Sequence, residues 1–367
     1  MRLMLVVGAR PQIIKSAPII RETKKHKEIE LQLVHTGQHY DFEMSKVFFN
    51  EMGLPDPLVN LSVGSGTHAW QTGNMMVKLE ETMLSHKPEI VMVPGDTNST
   101  IAGALTAAKL QLPVAHVESG ARSYDMRMPE EVNRRLTDHC ASLLFAPTRN
   151  CAENLTAEGL PRNCIRVSGD TMYDALLQHI PAASKTNIVK KLELESEEYA
   201  VLTLHRPENV DNPSNLKKIA KAVIALGQLT IVFPTHPRTK QRLDAASLLT
   251  KLEATSHIKL VDPLGYHEML QLTKHARMVL TDSGGLQKEA FWLHTPCITL
   301  RDTTEWTETV EMHANILTGS NPFKIKKAAL EIMQNPQIRS KLSKLRNPFG
   351  DGRASQRIIA EVLRRRT

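Results

Sequence analysis

Residues 278–300, MVLTDSGGLQKEAFWLHTPCITL, decide the fold class. An apolar run ends at Leu280 and gives way to Thr281-Asp282-Ser283-Gly284-Gly285. Leu286, Ala290, Phe291 and Leu293 then fall at helical spacing, and a second apolar run follows Pro296. That order reads as strand, tight turn, helix, strand. Ser283 is a good N-cap, and Gly284 and Gly285 keep side chains away from the first helical turn. The first N–H groups of a helix have no partner inside it, so such a turn can seat a phosphate. Glu289 lies one turn further on, where a carboxylate can accept hydrogen bonds from a ribose. Taken alone, the same residues also fit an ordinary strand-to-helix turn, because short glycine motifs are weakly specific.

Working outward, the same alternation fills the chain. In the first half, apolar runs at 4–7, 31–34, 90–93, 114–117 and 143–145 alternate with helical patterns at 13–20, 42–52, 67–85, 99–110 and 129–138. In the second half, strands are expected at 200–204, 230–233, 259–261, 279–281 and 297–300, with helices between them. Strands alternating with helices predict parallel, doubly wound sheets, hence an α/β fold. Residues 168–196, with Pro181 and the polar run 184–187, mark the expected boundary. The reading is therefore two Rossmann-like doubly wound domains facing a cleft. Residues 1–168 form the first and residues 169–353 the second, with a final amphipathic helix expected at 354–367.

In such sheets ligands bind beyond the carboxyl ends of the strands. The polar clusters fall there: Arg10, Gln38 and His39, Asp96, Glu118, His205 and Arg206, His236 and Arg238, Ser283 and Glu289, Arg301 and Asp302. Asp96, Glu118 and Glu130, with His205 and Lys15, have the residue types for acid–base work, since burial and neighbours tune each carboxylate. Glu130 also suits a helix N-terminus, where an acid stabilises by only about 0.3–1 kcal/mol. Asp96 equally suits an N-cap. An Arg beside a strand-end His makes an anion site of His205-Arg206.

Composition narrows the classes. A chain of 367 residues can build two cores, and 41% hydrophobic with 23% charged residues is ordinary for a globular protein. Aromatics at 4% argue against an all-β sandwich or a base-stacking surface. The net charge of +7 is spread along the chain apart from residues 24–27 and 364–366. That predicts an anionic small-molecule substrate rather than nucleic acid. Four cysteines without paired zinc spacing point to a reducing cytoplasm. The N-terminal apolar run is too short for a signal peptide, and no stretch reaches the roughly 18 apolar residues of a membrane span. No G-x-G-x-x-G follows the first strand, which argues against NAD. His116 and Glu118 alternate on one strand, a weak metal pair, so no metal is expected.

The motifs GARPQIIK (8–15), HTGQHYD (35–41), GDTNST (95–100), HVESGAR (116–122), PEEVNR (129–134), TLHRPEN (203–209), TDSGGLQKEA (281–290), RDTTE (301–305) and NPFGDGRAS (347–355) carry a resemblance. In this order over essentially the full length, the chain resembles the non-hydrolysing UDP-N-acetylglucosamine 2-epimerases. The resemblance implies a glycosyltransferase-B type architecture, in which the C-terminal helix 354–367 joins the first domain and the second binds UDP, a homodimer and no cofactor. It also implies a UDP-sugar substrate, and a product used for surface polysaccharide precursors. The reaction implied is loss of the C2 proton with departure of UDP, giving 2-acetamidoglucal, and re-addition with the proton on the other face. The resemblance places Asp96, Glu118, Glu130 and His205 in the acid–base set. Lys15 and Arg10 fall near the diphosphate, Ser283, Gly284 and Gly285 in its seat, and Glu289 at the ribose.

This sequence departs from the family pattern at Gln12, Pro207 and Trp306. These departures resemble the branch acting on UDP-2,3-diacetamido-2,3-dideoxyglucuronic acid. At positions where the family binds UDP-GlcNAc as an activator the chain carries Pro207 and Asp41, so the resemblance implies that such activation is lost. A UDP-sugar glycosyltransferase on the same fold is the reading from another class.

Overall fold

The computed structural model describes residues 1–38 and 48–365. His39, Asp41 and most of the helix expected over 42–52 lie outside the described residues. The chain divides into two compact units, Met1–Gln178 with Asn347–Thr367, and His179–Arg346. The first division falls within helix Thr171–Ala183, which takes Pro181 inside it, so that proline does not end the segment. The sequence reading drew the boundaries at 168/169 and 353/354.

The first unit is built on a seven-stranded sheet. Its strands are β1 (Arg2–Val7), β2 (Glu30–His35), β3 (Val59–Asn60), β4 (Ile90–Pro94), β5 (Val114–Val117), β6 (Leu143–Ala146) and β7 (Ile165–Val167). They run in the order β3-β2-β1-β4-β5-β6-β7, with parallel pairing throughout. The central strands are apolar on both faces: Leu3 to Val6 and Val91 to Val93 are completely buried. Helices cover both faces, as an all-parallel sheet requires. Met4, Val6, Val91 and Val93 pack against Met75, Leu79 and Met83 of helix His68–His86, and against Ala102 and Ala104 of helix Asn98–Lys109.

The last helix, Ala354–Arg364, belongs to this unit and packs against helix Arg10–Thr23. Its own N-cap residue makes no side-chain cap. Asp174 supplies one from a distance, accepting Ala354 N at 3.0 Å, Ser355 N at 2.8 Å and Ser355 Oγ at 2.7 Å. Burial nonetheless pushes the Asp174 carboxyl above its ordinary value, against the lowering effect of these bonds.

The second unit repeats the plan with six strands: β8 (Tyr199–Thr203), β9 (Thr230–Pro234), β10 (Ile258–Val261), β11 (Met278–Thr281), β12 (Cys297–Thr299) and β13 (Asn315–Leu317). Their order is β10-β9-β8-β11-β12-β13, again parallel. Two apolar clusters lie on either side of it. One gathers Leu202, Ile231, Leu280 and Ile298 with helices Pro213–Ile224 and Pro322–Met333, and the other gathers Val201, Val232 and Val279 with Leu286 and Ala290. In both sheets the strand order reverses at the centre, between β1 and β4 and between β8 and β11. The crevice at such a switch point is where open α/β sheets bind ligands.

Candidate active site

At the switch point of the first unit, β1 turns through Gly8 into helix Arg10–Thr23. A Cβ at Gly8 would lie 2.0 Å from Thr36 Oγ1 and 2.2 Å from Ser99 Oγ, so only glycine fits. Gln12 closes this turn. Its Oε1 accepts from Gly8 N at 2.9 Å and Ala9 N at 3.2 Å. Its Nε2 donates to Pro94 O at 2.9 Å and Thr100 Oγ1 at 3.0 Å. An ionised Glu would have no N–H for the last two contacts. One turn on, Lys15 is buried with its Nζ 2.5 Å from Glu118 Oε1. Arg10 holds its guanidinium 4.4 Å from the Phe48 ring centroid.

Glu118 follows β5 directly and adopts φ +72°. A left-handed non-glycine residue costs about 1–3 kcal/mol and persists only where its surroundings enforce it. Here Glu118 N and Ser119 N both donate to Phe145 O at 3.1 Å. This turn breaks the strand alternation and sends Glu118 to Lys15, while His116 points elsewhere. His116 Nδ1 lies 2.6 Å from Asp138 Oδ1, and its Nε2 lies 2.7 Å from Gly95 O. The expected pairing of His116 and Glu118 on one face is thus not made. Among the described residues no group of three His, Cys, Asp or Glu could hold a metal ion.

Asp96 sits between β4 and helix Asn98–Lys109, with Arg134 Nε and Nη2 at 3.1 and 3.0 Å from its Oδ2. Arg134 is fixed in turn by Glu131, 2.7 Å away. Asn133 Nδ2 donates to Asp96 O at 3.0 Å. Of the two acids opening helix Pro129–Cys140, Glu131 is buried and accepts from Ser123 N and Ser123 Oγ, so its role is structural. Glu130 is half-buried. Asp138, on the same helix, is fully buried. Burial by itself would raise its carboxyl, but His116 and Arg122 beside it hold it below the ordinary range.

In the second unit the organiser is Asp282, absent from the residues expected to act. Its buried carboxylate accepts from His205 N, Arg206 N and Asn209 Nδ2 at 3.1–3.2 Å, and lies 3.3 Å from His205 Nδ1. It thereby fixes the loop after β8 against the turn after β11. The next residue, Ser283, caps helix Gly284–Trp292, accepting from Leu286 N at 3.4 Å. Gly285 follows in the first turn, and Glu289 is buried one turn along the same helix. Lys288 is buried between them, its Nζ 3.8 Å from the Trp306 ring centroid. Trp306 therefore supports this helix as a cation–π partner.

Arg301 is buried, with Nη1 3.0 Å from Glu305 and Nε 3.5 Å from Glu208. Asp302 is exposed, and its Oδ1 would lie 2.3 Å from a Cβ at Gly319. His236 caps helix Pro237–Ala245, Nδ1 accepting from Arg238 N at 3.3 Å. Burial and then the Arg238 charge hold its imidazole below the ordinary value.

A serine-capped, glycine-rich helix start beside a His-Arg loop in one unit, and a buried Lys–Glu pair with a neighbouring Asp in the other, set the terms for comparison. The model of the UDP-N-acetylglucosamine 2-epimerase family matches residues 21–363. The chain belongs to this family. It is 48% identical to the UDP-N-acetylglucosamine 2-epimerase of Methanocaldococcus jannaschii, over 98% of each chain. The crystal structure of a UDP-GlcNAc 2-epimerase from that organism, in complex with UDP-GlcNAc and UDP, superposes with a TM-score of 0.93 at 48% identity. It covers 99% of this chain and 100% of that one. The UDP-2,3-diacetamido-2,3-dideoxy-D-glucuronate 2-epimerase of Pseudomonas aeruginosa is 41% identical over 99% of each chain. Members of the family are isomerases, and the α/β fold with two parallel sheets is theirs.

Proposed function

We propose that this protein interconverts UDP-N-acetylglucosamine and UDP-N-acetylmannosamine by epimerisation at sugar C2. The observation that carries the reading is the Lys15–Glu118 pair at 2.5 Å, held by a strained turn next to the Asp96 loop. A carboxylate fixed in this way is pre-aimed at a proton, and fixed geometry supplies much of a catalyst's effect. Glu118 and Asp96 carry the C2 proton on the two faces, with Glu130 and His205 completing the set. The electron pair of the C2–H bond forms the C1–C2 double bond as the C1–O bond breaks and UDP leaves. The reverse steps return proton and UDP. No net oxidation occurs, so the chemistry calls for no redox cofactor.

Charge builds on the departing diphosphate, and preorganised donors stabilise it. The helix start at Ser283, Gly284 and Gly285, with Arg206, His236, Arg301, Asp302 and Arg10, forms the nucleotide set in this reading, and Glu289 takes the ribose. The four free cysteines fit a cytoplasmic site.

A second reading, epimerisation of UDP-2,3-diacetamido-2,3-dideoxyglucuronic acid, is favoured by Trp306 and by the likeness to the Pseudomonas aeruginosa enzyme. Incubating the protein with each nucleotide sugar and following the anomeric signals by NMR separates the two. A manno product from UDP-GlcNAc is expected. Product from the uronic acid alone would replace the first reading with the second, and sugar transfer to an acceptor without epimer would replace both.

A homodimer belongs to the same proposal. Helix His68–His86 exposes Trp70, Val77 and Leu84, one every seven residues, a stripe of the kind that two helices bury between them. Val77→Glu is expected to convert a dimer to a monomer in sedimentation or light scattering. A mass unchanged by the substitution argues against this stripe.

A further inference from the structure

The first unit contains a buried charged cluster to which the proposed reaction assigns no step. His116, Asp138 and Arg122 are all nine-tenths or more buried. Asp138 Oδ2 takes Arg122 Nη2 at 2.6 Å and Gly120 N at 3.1 Å, while its Oδ1 takes His116 Nδ1 at 2.6 Å. Arg122 extends the cluster to Glu158 at 2.8 Å. The other nitrogen of His116 contacts Gly95 O at 2.7 Å. Both ring nitrogens of His116 thus face oxygen atoms of the cluster.

The cluster's ends matter. Gly95 immediately precedes Asp96, has φ +73°, and is held by β5 at both its polar groups: its N–H donates to Val117 O at 2.9 Å, and its carbonyl meets His116. A Cβ at Gly95 would lie 3.2 Å from Lys15 Nζ, so this peptide also forms a wall against the Lys15–Glu118 pair. Gly120 stands two residues after Glu118, has φ +79°, and takes its other bond from Asn154 Nδ2 at 3.0 Å. One carboxylate therefore fixes the peptide before Asp96 and the peptide after the Glu118 turn. Asp138 also rides on the helix that carries Glu130, Asn133 and Arg134.

We propose that His116 and Asp138 are a positioning pair that sets the spacing of Asp96 and Glu118 for proton transfer at C2. The proposal rests on the functional reading above. His116 and Asp138 do not touch substrate. They hold two left-handed turns in register, and a displacement of about 1 Å in a reacting group can cost on the order of 100-fold in rate.

The test measures C2 proton exchange, UDP affinity and thermal stability for His116→Phe, His116→Gln and Asp138→Asn. His116→Phe removes both ring nitrogens at similar volume. Its turnover is expected to fall about 10- to 100-fold, with UDP affinity within about twofold of the parent. His116→Gln keeps one amide donor for Gly95 O, and is expected to recover part of the loss. Asp138→Asn keeps the shape but weakens the contact to His116. It is expected to fall between the two, and it carries the test if the Phe variant does not fold. Folded variants with parental turnover would overturn the proposal. So would loss of stability alone, with turnover per folded molecule intact, or an equal loss of UDP affinity. Absence of exchange in the parent protein would instead sink the functional reading.

Discussion

Replacing Asp96 by Asn is expected to reduce C2 epimerisation by about 10²–10⁴-fold, the range over which a positioned acid or base contributes. The substitution is nearly isosteric. Asn keeps an oxygen for Arg134, and the backbone carbonyl of residue 96 keeps Asn133 Nδ2. Arg134 also retains Glu131 at 2.7 Å, so it is not left as an uncompensated buried charge. The stability loss should therefore stay near 1 kcal/mol, the size of one net hydrogen bond. UDP affinity should hardly change, because Asp96 is not among the residues of the proposed nucleotide set. Steady-state kinetics beside a UDP titration checks all three expectations. Parental turnover would remove Asp96 from the acid–base set.

Gly284→Val is expected to weaken UDP binding by about 100-fold or more. Gly284 and Gly285 supply the first N–H groups of helix Gly284–Trp292, which no carbonyl of that helix can reach. A Cβ at position 284 would lie 2.3 Å from Glu305 Oε1 and 3.3 Å from Trp306 Nε1. Glu305 has little room to yield, being buried and paired with Arg301 at 3.0 Å. The helix start and the loop after β12 must move apart, and overpacking of this kind costs about 1–3 kcal/mol of stability. Both losses are expected together, the first by calorimetry with UDP and the second by denaturant unfolding. Undiminished UDP affinity in a folded Gly284→Val variant would take the diphosphate away from this turn.

The central strands were legible because they are buried on both faces, so β1, β4, β8 and β11 read as unbroken apolar runs. The edge strands β3, β7 and β13 escaped. They are only two or three residues long and half-buried in places, which leaves no apolar run to find. The division at 178/179 falls inside the expected boundary stretch 168–196, although Pro181 does not mark it by ending a helix. A proline usually breaks a helix, yet one is accommodated inside Thr171–Ala183.

Among the candidate site residues, the rule that ligands lie beyond strand ends pointed to Asp96, Glu118, His205 and Ser283 without any knowledge of contacts. What it could not find are residues whose roles lie in distant partners. Asp282 acts through His205 and Asn209, seventy-odd positions away in the chain. Gln12 acts through Pro94 and Thr100, and His116 through Gly95 and Asp138. Alternation along a strand suggested that His116 and Glu118 face together. The left-handed turn at Glu118, visible only in three dimensions, separates them.

The most direct test of the central claim is proton NMR of UDP-GlcNAc incubated with the protein in heavy water. The account predicts deuterium at C2 of both the gluco and the manno nucleotide, because each passage through the unsaturated intermediate replaces the C2 proton from solvent. A manno product that retains the original C2 proton would contradict elimination and re-addition. Full retention with no manno product from either candidate sugar would contradict the epimerase reading itself.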